Sequence, residues 1–336
     1  MIRKVIVFVL AGVFVMTGAV FAGPKEMAEL IKAAEKEGVV TWESDLKDSE
    51  VKPVIAAFQK AYPKIKLIQE KESGSKEKLL REVLAGAETK DILTLDPDVE
   101  NEFVEMDLLA KVNWDDFGVL PQLQFHDGRM VGVYQHSHVF AFNTKQLKKE
   151  DAPKTWEDLL DPKWKGGKFT VDTSCNAYLR LVDAWGADKV IAYLKKLGQQ
   201  KPIFVRGHTN TMTLMAAGQY ALSVDVLLAS ASFVKMKGGP LDWVAPDVVP
   251  AGLVKNGILK KNVQHPNAAR VFLGWMGAEG YKYVNDGNPA RAASFGDTYT
   301  AKLFEGKKMS WTPTTKELPD REGFFKAAIE ALGVPR

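Results

Sequence analysis

The segment Arg206-Gly207-His208-Thr209-Asn210 combines residue types suited to holding a small anion. A guanidinium presents a planar fork to carboxylate or phosphonate oxygens. Glycine lets a backbone approach a ligand closely. Thr209 or Asn210 is the right type to cap a following helix, whose free amides would face the anion. A plain surface arginine is the competing reading of Arg206. Four other polar groups recur along the chain: Glu43-Ser44-Asp45, Asp96 with Asp98, Tyr134 to Ser137, and Thr173-Ser174 with Asn176. Their plainer uses are as helix caps (Ser44, Thr173, and Asp96 before Pro97) and, for His136, as a buried hydrogen-bonded histidine. The candidate ligand-binding residues are therefore Ser44, Asp96, Tyr134, His136, Thr173, Ser174, Arg206, His208, Thr209 and Asn210. The rings of Trp42 and Tyr134 would either sandwich a ligand or pack a core. A small organic anion such as a carboxylate, phosphonate or phosphorylated compound fits this set.

Catalytic signatures are missing. The chain has five histidines and one cysteine, with no Gly-x-Ser-x-Gly elbow, His-Glu-x-x-His pair or phosphate-binding P-loop, so no enzyme activity or cofactor is expected. Cys175 follows Ser174 near an expected helix start, where a thiolate would be stabilised, but a buried inert thiol explains it as well. His265 beside Pro266 reads as a helix start, and no second histidine at helical spacing supports a metal site. A single cysteine excludes an intramolecular disulfide.

The N-terminus reads as an address. Arg3 and Lys4 precede the apolar run from Val5 to Met16, and Val20-Phe21-Ala22 offers small residues for signal peptidase. Cleavage near Ala22 is expected, with release to a Gram-negative periplasm, because no cysteine stands there to carry lipid. Removing the two basic residues takes 45 Lys and Arg to 43 against 42 Asp and Glu, a balance that points away from nucleic acid and anionic lipid. A mature chain of about 310 residues suggests two domains at roughly 100–200 residues each.

Elements that alternate in two series would position these groups. Helices are expected at 26–37, 51–62 and 76–84, interleaved with strands at 39–42, 65–68 and 92–95. An extended aromatic-rich run, 130–142, reads as a crossover. A second series follows: strands at 168–171, 203–205, 220–224 and 243–245, with helices at 177–184, 187–197, 211–217 and 227–236. The stretch 254–261 reads as extended again, and 265–277 as an amphipathic helix. This is an α/β chain in two similar lobes, each a mostly parallel sheet flanked by helices and joined by extended hinge strands. Ligands of such sheets sit beyond the carboxyl ends of the strands.

Four motifs in order resemble the iron(III)-type substrate-binding proteins of ABC transporters. They are Ala33 to Gly38 leading into a strand, Phe58 to Pro63, the long Ala152-Pro153-Lys154-Thr155-Trp156 to Trp164-Lys165-Gly166 run, and His265 to Arg270 with Phe272, Trp275, Glu279 and Gly280. The resemblance implies a type 2 periplasmic binding fold, a monomer that hands its ligand to an inner-membrane permease. Residues 23–134 with 250–295 would form one lobe, and 135–249 with 296–336 the other. Trp156 and Trp164 read as packing anchors. Ferric-binding members grip iron with adjacent tyrosines, whereas the equivalent segment here is Ser223-Val224-Asp225-Val226-Leu227-Leu228, without phenol oxygens for a hard cation. Iron or a ferric chelate is the alternative ligand, and input to a receptor the alternative use. Arg180, mid-helix, is expected to be neutral for binding.

Overall fold

The computed structural model describes residues 24–71, 76–95, 97 and 99–335. The expected signal segment and both Asp96 and Asp98 lie outside the described residues. The strands are β1 (Val39–Glu43), β2 (Lys66–Glu70), β3 (Leu93–Leu95), β4 (Gln124–Phe125), β5 (Met130–Asn143), β6 (Thr170–Asp172), β7 (Ile203–Val205), β8 (Leu222–Leu227), β9 (Leu241–Val244), β10 (Val248–Gly257) and β11 (Lys308–Trp311).

In the first half β1 pairs parallel with β2, and Trp42 bridges in parallel to Ile92 beside β3. The helix Asp48–Ala61 lays Val51, Val54 and Phe58 into the core at helical spacing. It starts three residues before that apolar stripe because the Glu50 side chain accepts the Lys47 amide at 2.9 Å. Phe58 meets Phe272 and Trp275 at 5.0 and 5.2 Å between ring centroids, so the late helix Pro266–Trp275 folds back onto this half. Trp42 and Tyr134 are fully buried here, Trp42 donating through Nε1 to Asn256. Their rings pack the core.

In the second half β6 pairs parallel with β7 and β8, while β8 and β9 run antiparallel to β5. Trp156 is buried against Phe140 and donates from Nε1 to the Val248 carbonyl at 2.8 Å; Trp164 is buried in the same core. Cys175 is buried there too, and burial, with Asp225 and Asp172 nearby, pushes its thiol up to about 12. The C-terminal elements β11 and the helix Arg321–Leu332, which the sequence pattern left unassigned, also join this half: Phe324, Ala328 and Leu332 enter its core.

Two strands run through both halves. β5 pairs with β10 antiparallel from Ala251 opposite Ser137 to Gly257 opposite Met130. β10 begins at Val248, six residues before the extended run expected from 254. Pro250 and Gly252 resemble loop punctuation, but Pro250 falls just outside the β5 ladder, where its missing N–H does not break it.

Candidate functional site

The site is built on these two shared strands. Side chains alternate along a strand, so Tyr134, His136 and His138 of β5 share one face with Gly252 and Val254 of β10. Asp45, just beyond β1, accepts from the Tyr134 hydroxyl at 2.6 Å and from Arg291 Nη1 at 3.1 Å. Arg291 Nη1 also lies 2.6 Å from His136 Nε2. A guanidinium only donates, so His136 accepts there and is neutral. Burial, with Arg291 and Arg180 close by, lowers its pKa despite Asp45. Burial works to raise the Asp45 pKa, yet the Arg291 guanidinium and the Tyr134 hydroxyl hold it well below the usual carboxylate range.

His138 faces the second half. Its Nδ1 donates to the Asp225 carbonyl at 2.7 Å, so Nε2 accepts from Arg180 Nη1 at 2.5 Å. Burial, Arg180 and His208 drive the His138 pKa well down. Arg180 also donates from Nε to Thr312 Oγ1 at 2.9 Å. The guanidinium lies over Gly252, where a Cβ would come within 2.8 Å of Thr312 Oγ1 and 3.0 Å of Arg180 Nε. Glycine is required there for the arginine to sit on the strand.

Between the halves lies a polar cavity of about 260 Å³ whose walls include Pro97, His136, Asn176, Arg180, Thr312 and Arg321. Beside it, sharing Pro97, Leu253 and Thr312, is a second cavity of about 280 Å³ lined by Phe125, Phe295 and Trp311. A larger hollow of about 370 Å³ lies among Glu43, Glu70, Glu82 and Glu88, touching neither shared strand. We take the inter-half pair as the site, because ligands of open α/β sheets lie beyond strand ends between lobes.

The residues singled out from sequence fall variously. His136 lines the polar cavity, and Tyr134 supports it through Asp45. Ser44 is fully buried and accepts from Gln69. The Thr173 amide continues the strand by donating to Val205, and the Ser174 amide donates to Asp172. Thr209 and Asn210 do not cap their helix. It begins at His208, with Gly207 as the cap at φ 91°, a conformation glycine adopts freely. The expected anion seat at this helix start is answered from within the chain. Asp172 accepts the Gly207 amide at 3.0 Å and lies 3.7 Å from His208. Arg206 and Asn210 are exposed and line neither cavity of the pair. Arg180, expected to be neutral, instead lies on the cavity wall, as Arg321 does. Asn176, Leu179 and Arg180 share a helix face at i, i+3 and i+4, a spacing readable in advance. What that face would meet was not. Among the described residues no group of three or more His, Cys, Asp or Glu is arranged to hold a metal ion.

Comparison with known proteins agrees with this architecture. A Fe(3+)-binding periplasmic protein of Serratia marcescens is 30% identical over 105 residues, spanning 30% of either chain. A curated relative from Haemophilus influenzae is spanned over 43% of its length, so the chain covers less than half of these two relatives. Among solved structures, the substrate binding protein of an ABC transporter from Agrobacterium tumefaciens superposes with a TM-score of 0.69 at 16% identity, covering 89% of this chain and 96% of that one. The periplasmic binding protein AfuA of Actinobacillus pleuropneumoniae, with fructose-6-phosphate bound, gives 0.62 at 19% identity over 89% and 99%. These likenesses carry the two-lobed binding-protein fold. The family model for bacterial extracellular solute-binding proteins matches residues 54–283, and the chain belongs to that family.

Proposed function

We propose that this protein is the periplasmic solute-binding component of an ABC importer and captures a small organic anion between its two lobes. The observation that carries the reading is the polar cavity, where the guanidiniums of Arg180 and Arg321 meet His136 and Asn176. Two guanidiniums around a cavity of this size favour a carboxylate or phosphorylated head held by charge-assisted hydrogen bonds. Thr312 and Asn176 would complete its polar contacts. The moving bodies are residues 23–134 with 250–295 and residues 135–249 with 296–336, acting as a monomer after removal of a signal peptide near Ala22. Binding without chemistry is the expected role, and the Cys175 thiol, pushed up to about 12, offers no nucleophile.

Ferric iron is the second reading, favoured by the name of the Serratia relative. Against it, the segment 223–228 has no tyrosine. Burial, Asp45 and the hydrogen bond to it raise the Tyr134 pKa well above normal, which opposes a phenolate ligand. Native mass spectrometry of protein released by osmotic shock tests both readings. The expected result is a copurifying organic acid that leaves on unfolding. A stoichiometric iron adduct, a neutral sugar or a cationic ligand overturns the anion reading.

A further inference from the structure

The second cavity of the pair has no part in holding an anion, and its walls are of another kind. Phe125, Phe295 and Trp311 line it, with Phe295 and Trp311 stacked at 6.4 Å between centroids and 14° between planes. The Lys255 ammonium in its wall is already neutralised: Nζ lies 2.8 Å from both oxygens of the buried Glu100 carboxylate. An anionic head has no reason to enter this chamber, whereas a ring does.

The two chambers meet at Thr312. Its hydroxyl accepts from Arg180 on the polar side, and its neighbour in the chain, Trp311, is a wall of the aromatic side. Consecutive Cα atoms are about 3.8 Å apart, so the change from cationic to aromatic lining happens within the length of a short linker. Each chamber, at about 260 and 280 Å³, is a little smaller than the roughly 300–1,000 Å³ that small-molecule sites occupy. One compact ligand with two ends therefore fits the pair better than either chamber alone.

We propose that the ligand is an aryl-alkanoate: a planar ring seated against Trp311 and Phe125, joined by two or three carbons to a carboxylate facing Arg180 and Arg321. This rests on the anion reading above and adds the ring.

Calorimetry on wild-type protein stripped of bound ligand decides it, using 3-phenylpropionate, propionate and 3-phenylpropanol as probes. Burying a phenyl group should tighten 3-phenylpropionate over propionate by about ten- to a hundredfold. Loss of the charge should weaken 3-phenylpropanol by a similar factor. Propionate binding as tightly as 3-phenylpropionate overturns the aromatic chamber and leaves the anion reading standing. Equal binding of the acid and the alcohol overturns the anion reading itself. No binding of 3-phenylpropionate overturns the aryl-alkanoate assignment. Trp311→Leu and Phe125→Leu provide a second arm, with thermal melts as the check on folding. Each should lower affinity for 3-phenylpropionate while leaving that for propionate unchanged. An equal loss for both acids would mean these rings only support the polar cavity, and would overturn the proposal.

Discussion

Arg180→Ala separates the cavity from the surface most sharply. The guanidinium donates to Thr312 and to His138, and holding the ligand head is its proposed task. Loss of a charge-assisted hydrogen bond to the ligand removes about 1.5–3 kcal/mol, or about ten- to a hundredfold in affinity. His138 Nε2 would also lose its donor in a buried position, costing about 1–3 kcal/mol of stability. For a chain this long that lowers Tm by roughly 2–4 °C per kcal/mol. Calorimetry with the ligand recovered from native protein reads the first loss, and scanning calorimetry of the unliganded protein reads the second. Arg180→Lys should recover charge but not the fork, and so restore affinity only in part. Arg206→Ala is the comparison: Arg206 is exposed and outside both cavities, so affinity and Tm should match wild type. Equal affinity for Arg180→Ala and wild type, or an equal loss in Arg206→Ala, would refute the placement of the anion.

His138 should give the protein an acid-side weakness. An unfolded histidine takes a proton near pH 6.5, while burial, Arg180 and His208 keep folded His138 neutral well below that. The unfolded state then binds more protons as pH falls below about 6.5, so stability drops. His138→Gln should lose less Tm than wild type between pH 7 and 5, and identical slopes would contradict this. Asp225, whose pKa burial and Asp172 raise, changes stability in the opposite sense but is common to both proteins. Lys47 crosses between the halves, with Nζ 3.5 Å from Thr209 Oγ1 and 3.5 Å from the Phe233 ring centroid. Lys47→Ala should enlarge the unliganded radius of gyration in small-angle scattering and weaken binding several-fold, since such a contact is worth about 0.5–2 kcal/mol; an unchanged radius and affinity would dismiss the contact as incidental. Gly252→Val should drive Arg180 and Thr312 off the strand and cost at least about tenfold in affinity, with calorimetry as the check. Wild-type affinity in that variant would mean the guanidinium does not need its seat.

How much of this was legible depended on whether the signal was local. The stripe Val51, Val54 and Phe58 announced its helix, and the unbroken run 130–142 announced β5 within one residue of its end. β10 was displaced because Pro250 and Gly252 carry loop signals that are overridden by their neighbours in space. The anion seat expected at His208 meets a partner 35 residues away, where Asp172 accepts the Gly207 amide. Arg180 lies on an amphipathic helix, whose periodicity separates core from non-core but does not distinguish bulk water from a cleft. The Phe295 and Trp311 stack joins two segments that had no assigned element at all.

The floor of the cleft and the connection between the halves are the same residues, and that identity gives the site its physical sense. Tyr134 is tied to Asp45 of the first half, and His136 to the same carboxylate through Arg291, while His138, two residues on, is tied to Asp225 and Arg180 of the second. Register breaks bracket this stretch: the β5–β10 ladder shifts between Val254 and Lys255, and the β5–β8 ladder between Val139 and Ala141. Bulges are where a paired strand bends most easily, so bending is favoured on either side of the three ring-bearing residues. A ligand moves a conformational equilibrium only by contacts that differ between its states. One that touches Pro97 of the first half and Arg180 of the second makes contacts that separated lobes cannot offer together. A ligand held only at the exposed Arg206 would touch one half alone and leave the equilibrium where it was. Capture between lobes therefore requires the cation to sit beside the shared strands, as Arg180 does over Gly252.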